Sequence, residues 1–375
     1  MTDPLAEAER VAKDPAAQPQ QLLGAVKQLF QEGAFGVADQ ALRRLESAGL
    51  FAAEVRHLRF GLDRIRDNGP DDYGPHIDRA ATVVADPAAT DDAVLAAADA
   101  LVRYGAIADA ERALERLQRA GVHPRRVARL RAASRQMKRS GILSSFTVVG
   151  RPLSETLTRP HEAMLSRHKP GSDRAIVVFT GGARQFWMTL HVLHQYVGKL
   201  DAHVVYLSDH RGRMYLDGLT GHARGYPDML AMLKQTVDDL GVSKTFMMAT
   251  SAGGYVGLRA AADLGAESFL GLSIRTDLTG GQPLGVFEKR VIDRCQHKDM
   301  LMDLRPYLSG RPHPKRVHLY CGEANPLDAA HAAHLDGLPN VTVRYLPKYK
   351  LHDIVPELLS RGQFEDVLRE FAPAD

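Results

Sequence analysis

The sequence predicts a chain of two unlike parts: an all-α helical-repeat domain over residues 1–140, and a doubly wound, mostly parallel α/β domain over residues 141–375. Three observations carry this. Residues 1–140 are rich in Ala, Leu, Arg and Glu at helical spacing, and they repeat at a fixed offset. Beyond 141, short β-rich runs alternate with amphipathic stretches. Where one apolar run meets a helical one, a single serine stands among small residues, Ala249-Thr250-Ser251-Ala252-Gly253.

Composition bounds the rest. A length of 375 residues is long for one domain and comfortable for two. The 48 basic residues are offset by 45 acidic ones, leaving a formal charge of +3, so no global field argues for nucleic acid or an anionic membrane. The two cysteines, Cys295 and Cys321, are too few for a disulfide scaffold and lack CxxC spacing, which suits a reducing compartment. The first residues are polar and charged with no apolar signal region, and no apolar run approaches the ~20 residues of a membrane helix. The expected location is cytoplasmic, with no membrane span.

The repeat is legible residue by residue. Gly33-Ala34-Phe35 opens a segment that returns at Gly105-Ala106-Ile107, an offset of 72 residues. Ala38, Ala41, Leu42 and Leu45 match Ala110, Ala113, Leu114 and Leu117; Leu23, Ala25 and Leu29 match Leu95, Ala97 and Leu101; Val55 and Leu58 match Val127 and Leu130. Each copy predicts a helix, a Gly-Ala turn and a second helix with small residues on its packing face. This resembles a tetratricopeptide repeat over roughly residues 20–135, without that family's Trp and Pro signature. The resemblance implies a surface for a protein partner or for self-association. The alternative is a bundle that only packs on the second half.

In the α/β part, strands are expected at 175–180, 203–207, 245–248, 268–272, 317–320 and 341–346. Amphipathic stretches near 185–199, 227–240, 252–264, 284–304, 326–336 and 353–371 separate or follow them, as in a parallel sheet covered on both faces. The join is expected near Met137–Ser145, where a basic helix end meets Ser140-Gly141.

Ser251 has the setting of a nucleophile. A reactive serine needs a turn tight enough to project its Oγ, which tolerates only small residues two before and two after it; here these are Ala249 and Gly253. The usual first residue is Gly, so Ala249 is a mild departure. The bland reading is a serine N-cap. Two further features weigh against it. The first is Thr180-Gly181-Gly182 after the first strong strand, where glycine allows the close backbone approach of an oxyanion loop. The second is Lys350-Leu351-His352-Asp353 between the last strand and the last helix, where a general base belongs in chain order.

On these motifs, residues ~145–375 resemble an α/β-hydrolase domain. The stretch from Val204 to Leu219, with Ser208-Asp209-His210-Arg211-Gly212-Arg213-Met214-Tyr215, is similar to a little-characterised bacterial group of that superfamily. The resemblance implies a serine-dependent hydrolase of carboxylic esters or thioesters. Ser251 would attack, His352 would act as base and then acid, and the N–H groups of Ala252 and Gly182 would hold the oxyanion. It implies a small-molecule acyl substrate and no metal or organic cofactor. An acyltransferase would use the same residues. A non-catalytic partner-binding protein with a degenerate hydrolase domain is the competing class.

The acid that orients His352 stays open at this level. Most α/β-hydrolases carry Asp where Asn325 stands. Asp328 is favoured, in the same loop and at the start of the next helix. Asp277 after the preceding strand comes second and Asn325 third, while Glu323 lies too close to its strand end.

Other signals are set aside. His191/His194 and His331/His334 each share a helix face, but no HExxH or third ligand accompanies them. The basic run Arg125–Arg131 is broken by apolar residues at helical spacing, as in a half-solvated helix. Residues 275–314, with 279–283 as a hinge, fit either a cap over the substrate or ordinary helices on the sheet.

Overall fold

A computed structural model of the chain describes residues 4–32, 34–56, 58–59, 74–140, 158–161, 163–219 and 223–374. The expected join near Met137–Ser145 falls partly outside them.

The first part contains α1 (Pro4–Lys13), α2 (Pro19–Glu32), α3 (Phe35–Ser47), α4 (Gly74–Ala85), α5 (Asp91–Arg103), α6 (Ile107–Ala120) and α7 (Pro124–Arg139). α5 and α6 begin 72 residues after α2 and α3, so the helices recur at the offset of the sequence. The matched side chains explain why. Ala38, Ala41, Leu42 and Leu45 are buried on α3, as are Ala110, Ala113, Leu114 and Leu117 on α6. Small residues at these positions let adjacent helices approach closely. The Thr90 hydroxyl accepts the Ala93 N–H to start α5, and Gly121 in the left-handed region ends α6.

The second part is one eight-stranded sheet in the order β1-β2-β4-β3-β5-β6-β7-β8. The strands are β1 (Thr158–His161), β2 (Met164–Arg167), β3 (Arg174–Phe179), β4 (His203–Leu207), β5 (Lys244–Thr250), β6 (Ser268–Leu272), β7 (Arg316–Gly322) and β8 (Val341–Leu346). From β4 to β8 the neighbours are parallel; β2 is antiparallel to both β1 and β4. All six strands read from the sequence are present. The antiparallel edge pair was not read, because Met164-Leu165-Ser166-Arg167 is too short to carry a period. The helices are α8 (Leu190–Val197), α9 (Tyr226–Leu240), α10 (Gly254–Asp263), α11 (Val286–Arg294), α12 (Leu304–Leu308), α13 (Pro326–Leu335), α14 (Val355–Ser360) and α15 (Phe364–Phe371). β3, β4 and β6 are buried along their whole length, as expected of strands covered on both faces. This architecture is consistent with the α/β-hydrolase fold.

Strand order positions the site. β3 lies between β4 and β5, so the chain winds away from it in both directions, and a crevice opens beyond the strand ends at such a point. Phe179 pairs with Ala249 in register, which sets the loop after β3 beside the turn after β5.

The packing does not divide at residue 140. One buried cluster runs from Leu101, Leu114 and Met137 of the helices to Tyr196, Leu358 and Phe371 beside the sheet. Residues 8–55 hold a separate cluster around Leu22, Val26, Leu29 and Leu42. Polar contacts follow the shared core: Thr189 N–H donates to Arg103 C=O (3.2 Å), and Arg129 lies over the Tyr349 ring at 5.7 Å.

Candidate active site

β5 ends at Thr250, and the chain passes through one 3-10 turn, Ser251–Gly253, into α10. Ser251 has φ 48°, a left-handed conformation that costs a non-glycine residue about 1–3 kcal/mol and persists only where packing enforces it. The neighbours enforce it by having no side chains. A Cβ on Gly253 would stand 2.5 Å from the Thr180 carbonyl oxygen, and one on Gly254 would stand 2.1 Å from Ile274 Cγ2. Ala249 is fully buried, and a Cβ on Gly257 would come within 3.2 Å of its methyl. Strand and helix therefore close tightly on each other and the serine projects.

Ser251 Oγ lies 2.7 Å from His352 Nε2. His352 Nδ1 lies 2.9 Å from each carboxylate oxygen of Asp328. A carboxylate only accepts, so Nδ1 carries the proton and Nε2 is left to accept from the serine hydroxyl. Asp328 is buried in the first turn of α13, where a helix N-terminus favours negative charge. Asn325 caps the same helix, its Oδ1 accepting from the N–H groups of Leu327 and Asp328 (3.2 Å each). It does not face the histidine; it fixes the turn that presents Asp328.

The other carboxylates weighed from sequence are spent elsewhere. Asp277 accepts from Thr279 N–H and hydroxyl (2.7 Å each) and from Gln282 N–H (2.9 Å). Burial opposes its ionisation, but these hydrogen bonds leave its pKa below the ordinary value. The segment expected as a hinge, 279–283, is thus a turn pinned by Asp277. Glu323 accepts from Lys348 N–H (2.9 Å).

Arg275 escaped the sequence as a site residue. Arg275 is buried after β6, with Nη1 2.8 Å from Asp328 Oδ1 and Nε 2.6 Å from Glu288 Oε1 on α11. It supplies the positive charge a buried carboxylate needs, and it ties α11 to Asp328. The available signal was an arginine three residues past an apolar strand, in Leu272-Ser273-Ile274-Arg275.

Gly182 and Ala252 stand side by side: a Cβ on Gly182 would lie 3.8 Å from the Ala252 methyl. The loop's turn bonds run from Gly181 N–H to Gln185 C=O (3.0 Å) and from Arg184 N–H to Gly181 C=O (2.8 Å), so they do not use the Gly182 N–H. The cleft has a volume of about 500 Å³ and is lined by Ser251, Ala252, Gly182, Trp187, Phe287 and, from helix α5, Arg103. Within residues 275–314, Met300 and Leu304 are core residues, while Val286 and Phe287 are exposed and line the cleft.

The paired histidines are structural. His331 Nδ1 accepts from Thr276 N–H (3.2 Å) and Nε2 donates to Pro283 C=O (3.0 Å), which requires the neutral ring. Burial pushes its pKa down to about 4, with Arg275 adding to the shift. His194 bonds the Tyr206 hydroxyl at 2.8 Å and is likewise lowered by burial to about 4. No cluster of metal-ligand type occurs among the described residues, and none of their helices is long and apolar enough to cross a membrane. The thiols of Cys295 and Cys321 are pushed up by burial to about 11 and about 12, so neither competes as a nucleophile.

No protein-family model matches the sequence, and no curated protein matches it. Solved structures do match, over the C-terminal part of the chain. An esterase of Pyrobaculum calidifontis is 18% identical, with 56% of this chain and 78% of that one covered at a TM-score of 0.39. A carboxyl esterase of the mycorrhizal fungus Tuber melanosporum is 14% identical, covering 56% and 82% at 0.42. An esterase of Thermogutta terrifontis is 14% identical, covering 58% and 91% at 0.39.

Proposed function

We propose that the chain is a serine-dependent hydrolase of a carboxylic ester or thioester, with Ser251 as nucleophile, His352 as general base and acid, and Asp328 as the orienting carboxylate. The observation that carries this is the unbroken contact from a strained serine through His352 to a buried carboxylate, at 2.7 and 2.9 Å. Ser251 Oγ forms a bond to the acyl carbon while its proton passes to His352 Nε2. The carbonyl oxygen becomes an oxyanion facing the N–H groups of Ala252 and Gly182. Collapse breaks the C–O or C–S bond, and the proton on Nε2 goes to the leaving group. Water then attacks the acyl-serine through the same histidine and restores the hydroxyl. Asp328 holds the Nδ1–H tautomer and favours the imidazolium formed in each step, and Arg275 fixes Asp328. The helical part would meet a protein partner or a second copy.

A fluorophosphonate probe tests the assignment. The full chain should be labelled and its Ser251→Ala variant should not. Equal labelling of both, or of neither, sinks the reading and leaves a binding protein on a hydrolase scaffold.

A further inference from the structure

A second cavity, of about 660 Å³, opens beside the cleft and is lined by Arg211, Arg213, Arg290 and Arg294, with Phe30 of α2 and Phe287 among its walls. No Asp or Glu lines it. Arg290 and Arg294 make no ion pair among the described residues, although they stand four apart on one helix, where like charges repel.

The loop after β4 is built to hold the other two arginines. Asp209, buried, accepts from the N–H groups of Arg211 (3.0 Å), Arg213 (2.6 Å) and Tyr215 (3.0 Å). Burial raises its pKa while these three bonds oppose the rise. Met214 and Tyr215 sit at φ 58° and 61°, left-handed conformations that the surrounding bonds hold. Arg213 is further fixed by Asp217 Oδ2 (2.8 Å) and Arg294 C=O (3.0 Å), and Arg211 by Asp217 C=O (3.0 Å). This is the Ser208–Tyr215 stretch, for which the triad has no use.

Phe287 joins the two cavities. Its ring tip lies 3.8 Å from where a Gly182 Cβ would stand, and it lines both spaces. Phe287, Arg290, Val291 and Arg294 share one face of α11. At 1.5 Å per residue, Arg294 lies about 10 Å along the helix from Phe287.

We propose that this cavity binds the phosphate of a phosphorylated acyl substrate whose acyl end passes Phe287 to the carbonyl that Ser251 attacks. Guanidinium forks match phosphate oxygens, and the cavity is far larger than one phosphate ion, so the ligand is an organic phosphate on an extended chain. The proposal rests on Ser251 being the nucleophile, and its test separates the two.

Trp187, the single tryptophan, lines the cleft and reports occupancy by fluorescence. Binding of 4′-phosphopantetheine, pantetheine and inorganic phosphate to the full chain is measured by Trp187 fluorescence and calorimetry, in parallel with the rate of fluorophosphonate labelling. 4′-Phosphopantetheine should bind about 10- to 100-fold more tightly than pantetheine, weaken as salt rises, and slow labelling. Inorganic phosphate should bind without slowing it. Arg290→Gln with Arg294→Gln should remove about tenfold or more of the preference, and Lys234→Gln, an exposed residue of α9, should not. Ser251→Ala should still bind.

Equal binding of phosphopantetheine and pantetheine, or a preference unchanged in the Arg290/Arg294 variant, overturns the proposal. Slowing by inorganic phosphate alone also overturns it and makes the cavity an effector site. Phosphate-dependent binding without any labelling in the parent chain sinks the nucleophile reading, and with it the substrate role, while leaving an organic-phosphate site.

Discussion

Asp328 shows how one residue is chosen among near neighbours. Three carboxylates and an asparagine lie within plausible reach of His352 in chain order, and hydrogen bonding sorts them. Asp277 is consumed by its own turn, Glu323 by the Lys348 N–H, and Asn325 by the start of α13. Asp328→Asn should lower turnover by about 10⁴, since the amide no longer holds the Nδ1–H tautomer or balances the imidazolium. Asp277→Asn should keep near-normal turnover and lose stability instead. The reverse result in ester-hydrolysis assays would move the acid to the earlier strand. Gly253 carries an equally local prediction. A methyl there meets backbone oxygen at 2.5 Å, so Gly253→Ala should cost about 1–3 kcal/mol in urea unfolding and slow labelling with it.

The helices repeat more than their apolar faces. Arg44 of α3 donates to the carbonyls of Ala12 and Asp14 at the end of α1 (2.8 Å each), and Arg116 of α6 donates to those of Val84 (3.4 Å) and Asp86 (2.6 Å) at the end of α4. Asp14 and Asp86 each accept an N–H two residues on, from Ala16 and Ala88. These pairs keep the 72-residue offset, and the matching Asp-Pro-Ala-Ala at 14–17 and 86–89 was the unread signal. Each arginine satisfies carbonyls that a helix end leaves open. Removing one should cost about 2–3 kcal/mol, and lysine, with one point charge, should not rescue it. The consequences should differ. Arg44→Met should loosen only the separate first cluster, giving an early unfolding phase with labelling retained. Arg116→Met should lower the main transition, because its helix shares a core with the sheet.

At the scale of the molecule, residues 74–140 share one buried cluster with the α/β part. A chain of residues 141–375 would expose Leu358 and Leu359 and lose Arg103 from the cleft, so it should be labelled poorly or fail to fold. A chain of residues 74–375 should fold and be labelled. Equal labelling of both truncations would show that the helices are dispensable. The buried histidines set an acid limit on the whole. His194 and His331 stay neutral down to about pH 4, whereas in the unfolded chain they titrate near 6.5. Below pH 6.5 the unfolded state takes up protons the folded state refuses, so stability falls as pH drops towards 4 and is unaffected by these groups above 6.5. His331→Gln should flatten that slope in urea midpoints measured from pH 7 to 4.5.

The helical spacing, the short β-rich runs, the 72-residue offset and the small residues around Ser251 were all local, and local pattern was enough to read six strands and most helices in order. Ser251 and His352 were legible for the same reason: each stands at a strand end, and strand ends can be counted along the chain. Arg275, Arg103 and the arginine cavity could not be counted. Their roles depend on which strands are neighbours and which helices lie on the sheet, and those are settled by burial among residues a hundred positions apart. A buried charge such as Asp328 gains its partner only when β6, α11 and α13 have packed together, so tertiary structure alone decided which carboxylate faces the histidine.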